Sequence, residues 1–334
     1  MPTQLQNTLT PFDNPAADII VRSSDNVDFR CLKAILGEAS SVFKDMFSLP
    51  SNPSHADQHD GLPIVCVTET GRTLDNLLRF CYPIVPPGIK NSQEICEALD
   101  AARKYMMKRP EKDICEQFGR HAKKDPLGLY AFASKHVGWQ NELMIAAEAL
   151  LRTSLDELSR LPALNTIDVA SYIRLQNFHQ RCGRFMAGHV LSEDEGDWPS
   201  TRRIYFAPHV PEHLVEHLEE LVLKARHTTN ERERGEDVER RKRTLLVSSH
   251  TVDGQREEYE VDEWLIHLLE FVREAVRHKP HIDTLRAMEV DWDMSFGGIA
   301  SCRCDMCTYA IPSAIGLIRR YMEDSFELLG LISL

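Results

Sequence analysis

No stretch of this 334-residue chain approaches the roughly eighteen consecutive apolar residues of a membrane-crossing helix, so no spanning segment is expected. Residues Met1 to Ala17 hold neither Lys nor Arg and no apolar run, unlike a secretory leader. Basic charge is in deficit. Thirty-nine Lys and Arg stand against 51 Asp and Glu, a formal net charge of −12 that repels a phosphate backbone. Nucleic acid is therefore not an expected partner, and neither paired zinc-finger spacings nor a basic helix argues otherwise. The sequence also lacks a glycine-rich phosphate loop, a G-x-S-x-G elbow and a usable Ser/His/Asp set. Cys115 and His121, six apart on a helix, fall on different faces, so the chain reads as a non-enzyme. Nine cysteines, an odd number without disulfide-framework spacing, suit the reducing cytoplasm or nucleus. Cys31, Cys66, Cys81 and Cys96 sit among apolar neighbours and read as small buried hydrophobes.

What is present is concentrated first between Asp18 and Phe47. Ile19-Ile20-Val21 is an apolar strand that runs into Ser23-Ser24-Asp25-Asn26, residues that favour turns. Val27, Phe29 and Cys31 alternate with Asp28 and Arg30, so the returning strand is expected to bury one face and show water the other. From Ala34 the period becomes helical through Ile35, Leu36, Ala39, Val42, Phe43, Met46 and Phe47, with Ser40 or Ser41 placed to cap a second short helix.

These residues carry a resemblance. Asp18 with its strand, Phe29, Lys33-Ala34-Ile35-Leu36, Ser40, Phe43 and Met46-Phe47 resemble the opening of a BTB/POZ domain, in particular of the fungal, basidiomycete-type subgroup. Leu74 to Tyr82 and Ala101 to Tyr105 continue it in register. The resemblance implies a small sheet covered by helices over residues 18–124 and a role in protein–protein interaction. It also implies a partner-binding groove near Asp18, Lys33, Met46 and Phe47, although Lys33 reads equally as a residue that only caps or solvates a helix start. The family often has His where this chain has Leu32. Its cullin-recruiting members carry a hydrophobic-x-Glu motif before the third strand. No Glu lies between Phe47 and Pro63, and Val67-Thr68-Glu69 has the letters only after that strand.

Along the rest of the chain, residues 1–17 read as extended or mobile and Ser48 to Leu62 as a solvated loop, followed by a buried strand over Ile64 to Val67. Helices are expected over Thr73–Tyr82, Ser92–Met107 (closed by Pro110) and Asp113–His121. Past Asp125 only helices are expected, giving an α+β module followed by a mainly α-helical region over 125–334. Pro126 opens one helix, Ser154 and Glu157 form a capping box, and Ile167 to Val190 is the longest, with a stripe from Val169 through Leu175, Phe178 and Cys182 to His189. Residues 192–208 read as a linker or surface loop. The tract 228–243 contains a run, Glu231 to Arg243, of six basic and five acidic residues, expected as a solvated helix or loop. Further helices are expected around Leu265 to Val276 and Ser313 to Leu329.

Two clusters could carry metal chemistry. His213, Glu216 and His217 match the inverted zinc-protease pattern, but Pro211 and the missing distant ligand favour surface histidines over a metallohydrolase. Cys302, Cys304 and Cys307 can hold a structural zinc if a fourth ligand arrives, or can pack as reduced thiols. No other cofactor is expected. The leading expectation is a non-catalytic adaptor that recruits a protein partner, with a transcriptional co-regulator scaffold as the alternative. A cullin-type ligase is a possible partner that lacks its motif here. With three prolines among the first seventeen residues, the chain is expected to be monomeric or to self-associate weakly.

Overall fold

The structure is a computed structural model, which describes residues 6–7, 11–49, 58–85, 88–190, 192–193, 204–205, 242–248, 256–290 and positions between 315 and 326. The chain divides into two compact units, residues 1–149 with 165–167 and residues 150–164 with 168–334.

The first unit is built on a five-stranded sheet ordered β1-β3-β2-β5-β4. Its strands are β1 (Gln6–Asn7), β2 (Ile19–Arg22), β3 (Val27–Cys31), β4 (Gln58–His59) and β5 (Leu62–Cys66). Central β2 is buried on both faces at Ile19, Ile20 and Val21, which is why it reads as a continuous apolar run. It pairs antiparallel with β3, Val21 opposite Phe29, and parallel with β5, Val21 opposite Val65. The hairpin turn uses Asn26 at φ 63°, a conformation Asn tolerates, and Ser23 Oγ accepts from Val27 N at 2.8 Å. The parallel crossover from β3 to β5 includes α1 (Lys33–Ala39) and α2 (Ser41–Ser48). Ser40 Oγ caps α2 by accepting from Phe43 N at 3.1 Å.

Five helices follow: α3 (Gly71–Arg79), α4 (Ser92–Lys104), α5 (Lys108–Ala122), α6 (Pro126–Ala133) and α7 (Gln140–Leu150). Thr70, Asn91 and Asp125 cap α3, α4 and α6 with their side chains. Gly71 is required where α3 meets the hairpin, since a Cβ there would lie 2.8 Å from Val27 Cγ2. The core is formed by Phe29, Leu36, Phe43, Leu74, Leu77, Ile95, Leu99, Ile114, Phe118 and Tyr130, all fully buried.

Three local expectations are corrected. Asp28 does not face water: it is buried, because Arg22 reaches it with two bonds of 2.6 and 2.8 Å and His59 Nδ1 lies 3.0 Å away. These partners outweigh the opposing effect of burial and hold the carboxyl below its ordinary range. Cys66 is exposed at the end of β5. Pro110 does not close α4. That helix ends at Lys104, Met106 turns the chain at φ 52°, and Pro110 sits in the first turn of α5, where its missing N–H costs nothing.

In the second unit, Ser154 and Glu157 form the expected capping box of α8 (Leu155–Ser159). The long helix α9 runs over Val169–Val190. Its buried stripe is Ser171, Leu175, Phe178, His179, Cys182 and Met186, while Val169 is exposed. Helices α10 (Glu263–His278) and α11 (Ile282–Val290) follow, with Leu268, Leu269, Val272 and Val276 buried on α10. Helices α9 and α10 approach closely at Gly183, where a Cβ would collide with the Arg277 carbonyl oxygen. Lys279 pairs with Glu157 and Arg152 with Asp283.

This mainly helical region also holds strands, against expectation. A second sheet is ordered β6-β7-β8-β9, from β6 (Ser192–Glu193), β7 (Ile204–Tyr205), β8 (Lys242–Ser248) and β9 (Arg256–Asp262). Two strands thus lie inside the expected linker 192–208, and Lys242 and Arg243 of the charge run begin β8, opposite Asp262 and Val261. Strand propensity is present in Thr244 to Val247 and in the alternation of Tyr259 and Val261, but the flanking charges mask it. Among the described residues no helix is long and apolar enough to cross a membrane.

Candidate protein-interaction face

A row of aromatic rings underlies the candidate site. Tyr105, at the end of α4, stacks on Phe43 of α2 with ring centroids 4.8 Å apart, and Phe43 stacks on Phe47 at 5.7 Å. Phe43 and Tyr105 are buried, whereas Met46 and Phe47 are half-buried toward the surface. Lys33 Nζ stands 6.0 Å over the Phe47 ring, the outer limit of a cation–π contact. At the other end of α2, Ser41 Oγ donates to Met106 Sδ at 3.6 Å. Met106 is 64% exposed and Leu49, just past α2, 69% exposed. Lys33 thus stands at the Phe47 end of the ring stack and Met106 follows Tyr105 at the other, while Met46 lies on α2 and Leu49 just past it.

The backbone around Met106 is held from several directions. Ser40 Oγ donates to the Tyr105 carbonyl at 2.6 Å while capping α2. The Tyr105 hydroxyl donates to Glu69 Oε2 at 2.5 Å, and Lys104 Nζ donates to Glu69 Oε1 at 2.6 Å. Burial raises the Tyr105 phenol far above its ordinary value, and the Glu69 carboxylate reinforces this. Val67-Thr68-Glu69 therefore spends its carboxylate inside the fold.

Asp18 and Lys33 do meet, but as backbone capping. Asp18 Oδ1 accepts from the Lys33 backbone N–H at 2.7 Å, at the start of α1, while the Lys33 amine lies over Phe47. Leu32 N–H donates to the Tyr82 hydroxyl at 3.1 Å. Neither Leu49 nor Met106 stands out in the sequence, because the helix expected over Ser92–Met107 runs past the true end of α4 at Lys104. The signal was available in Met106-Met107 just ahead of Lys108 to Pro110, where a helix end and a new helix start adjoin.

A second polar cluster ties α4 to later helices of the same unit. Arg103 donates to Glu111 Oε1 at 2.8 Å and to Glu142 Oε1 at 2.6 Å, and its guanidinium lies 4.8 Å over the Trp139 ring. Glu142 is buried, and the Cys115 thiol is 3.7 Å from its Oε1. Burial pushes that thiol up to about 11, and Glu142 adds to the shift, so Cys115 is a poor nucleophile.

His213, Glu216, His217, Cys302, Cys304 and Cys307 lie outside the described residues. Among the described residues no group of three or more His, Cys, Asp or Glu is arranged to hold a metal ion.

Comparison with known families identifies the domain to which this face belongs. The BTB/POZ domain model matches residues 11–123, about a third of the chain, so a BTB/POZ domain is found there. No curated protein matches the chain. BTB/POZ domains are in general protein–protein interaction modules rather than enzymes.

Proposed function

We propose that this chain is a non-catalytic adaptor whose BTB/POZ domain recruits a protein partner through the face bordered by Lys33, Met46, Phe47, Leu49 and Met106. The observation that carries the reading is the exposure of Met106 next to the buried ring stack and of Leu49 just past α2, because large apolar side chains held at a surface are characteristic binding anchors. The positive φ of Met106 is maintained by Glu69, Tyr105 and Ser40, and non-glycine residues kept in that region cluster at functional surfaces. Asp18 supports the face by fixing the start of α1. A cytoplasmic or nuclear location suits such a role, and the acidic net charge disfavours nucleic acid as the partner. A cullin-type scaffold is the less favoured partner, since Glu69 is engaged by Lys104 and Tyr105.

The test is paired affinity capture from native lysate with the wild-type chain and Met106→Glu, each checked for native circular dichroism. Proteins retained by wild type and lost by the variant identify the partner. An identical set on both overturns the assignment of the face.

A further inference from the structure

The start of α5 concentrates positive charge in an acidic chain. Residues 103–113 hold five cations, Arg103, Lys104, Lys108, Arg109 and Lys112, against two anions, Glu111 and Asp113, while the whole chain carries a net −12. Two of the cations are spent inside the fold, since Arg103 pairs with Glu111 and Glu142, and Lys104 with Glu69. Lys108, Arg109 and Lys112 are exposed, Asp113 is half-buried, and among the described residues none of these three cations takes part in an ion pair. Lys108 and Lys112, four apart on one side of α5, repel each other, and a bound anion relieves that repulsion. The charge adjoins the apolar anchor of the face. Met106, 64% exposed, lies two residues before Lys108, in a turn that Ser41 Oγ meets at Met106 Sδ and Ser40 Oγ at the Tyr105 carbonyl. Helix α1 packs against α5. On α1 and α2 the charges cancel, Lys33 and Lys44 against Glu38 and Asp45, so the local excess comes from α5.

We propose that the partner segment taken by this face is acidic and apolar: a large apolar side chain seated against Met106, with Asp or Glu side chains beside it paired to Lys108, Arg109 and Lys112. The inference rests on the face proposed above and adds the chemistry of what it binds. The two kinds of contact do different work. The apolar contact supplies most of the affinity, as buried anchors do in protein interfaces, while exposed charge pairs around it speed encounter and reject basic segments. A nucleic acid meets the same cations less well, because the acidic remainder of the chain repels a long polyanion and Met106 offers no ring on which a base can stack.

The experiment selects phage-displayed random peptides on the full chain, with the Met106→Glu chain used to remove peptides that bind elsewhere. Recovered peptides are expected to combine Asp or Glu with Leu, Ile, Met or an aromatic residue. A synthetic copy of one of them, followed by fluorescence anisotropy, is expected to bind about tenfold more weakly to a chain carrying Lys108→Glu, Arg109→Glu and Lys112→Glu, since three exposed charge pairs are lost. Its affinity for wild type is expected to fall as salt is raised. Acidic residues suit the first turns of a helix, and circular dichroism checks the fold. If the charge-reversed variant does not fold, Lys108→Gln, Arg109→Gln and Lys112→Gln take its place, with a smaller loss in the same direction. The proposal is overturned by recovered peptides that are neutral or basic, by binding that the folded charge variant leaves unchanged, or by a single-stranded oligonucleotide that wild type binds as strongly as the peptide. Lysate proteins lost from Met106→Glu but kept by the charge variant would leave the face standing and strike only the acidic partner. A selection that recovers nothing beyond the Met106→Glu background strikes both.

Discussion

Glu69 and Tyr105 share a 2.5 Å hydrogen bond from phenol to carboxylate that joins the end of β5 to the end of α4. Burial opposes the Glu69 charge, but the bonds from Lys104 and Tyr105 outweigh it and hold the carboxyl below its ordinary value of 4.5. A group whose pKa is lower folded than unfolded contributes stability that is complete above the unfolded value and is lost as pH falls through the folded one. Glu69→Gln is expected to lower the unfolding free energy by about 1–3 kcal/mol at neutral pH. Urea titrations repeated into the acid range should show the gap to wild type closing below pH 4.5. A gap that stays constant with pH would mean that the carboxylate charge is not the stabilising element.

The left-handed turn at Met106 separates backbone strain from binding. Glycine adopts that conformation freely, whereas a β-branched residue there is an outlier. Met106→Gly is expected to be more stable than Met106→Val by about 1 kcal/mol or more in thermal unfolding, while both lose the partner. Equal stabilities of the two variants would show that the turn relaxes without cost.

At the crossing of α9 and α10, Gly183 leaves no room for a methyl group against backbone. Gly183→Ala is expected to destabilise the second unit by about 1–3 kcal/mol, the usual range for overpacking. Hydrogen exchange should speed up on Val169–Val190 and Glu263–His278 while Ile95 to Ala102 stays protected. A variant with unchanged exchange on α9 would rule out the close crossing.

Acid is expected to weaken the second unit. His179 is buried on α9 with Nε2 2.9 Å from the Thr153 carbonyl, and burial first, then the nearby His278, lowers its pKa below 6.5. His281 is brought down to about 4 by burial and Arg152, against the pull of Asp283. Each ring is held neutral when folded, so its stability contribution is full above pH 6.5 and is lost as pH falls. The Tm of this unit should drop by about 2–6 °C between pH 7 and pH 5, and His179→Gln should flatten the slope. A pH-independent Tm in wild type would contradict the neutral-histidine assignment.

Much of the first unit was legible because its signals are local. The Ser-Ser-Asp-Asn turn, the Ser40 cap, the Pro126 start and the change of period after Cys31 each act over a few residues, and each is found. Illegible features depend on residues distant in the chain. Nothing near Asp28 announces that Arg22 and His59 will cover it, and a charged position in an alternating strand reads as solvated until those partners are in place. Strand β8 failed for the same reason, since Lys242 and Arg243 acquire their pairing only from β9, nearly twenty residues on. In the candidate face, Met46 and Phe47 are implied by the resemblance to the opening of a BTB/POZ domain. The exposure of Met106 required knowing that Ser40 and Glu69 would stop α4 early.

The Arg103 cluster distinguishes what is inherited from what must fold together. Arg103 and Glu111 lie within the matched stretch of residues 11–123, whereas Glu142 and the Trp139 ring over which the guanidinium stands lie beyond it. Cutting at the family boundary would strip a half-buried cation of one anion and its aromatic roof, a loss that desolvated charges tolerate poorly. The transplantable piece of this chain is therefore longer than its recognisable ancestry. Grafted into another host, the domain would need to bring its own tryptophan.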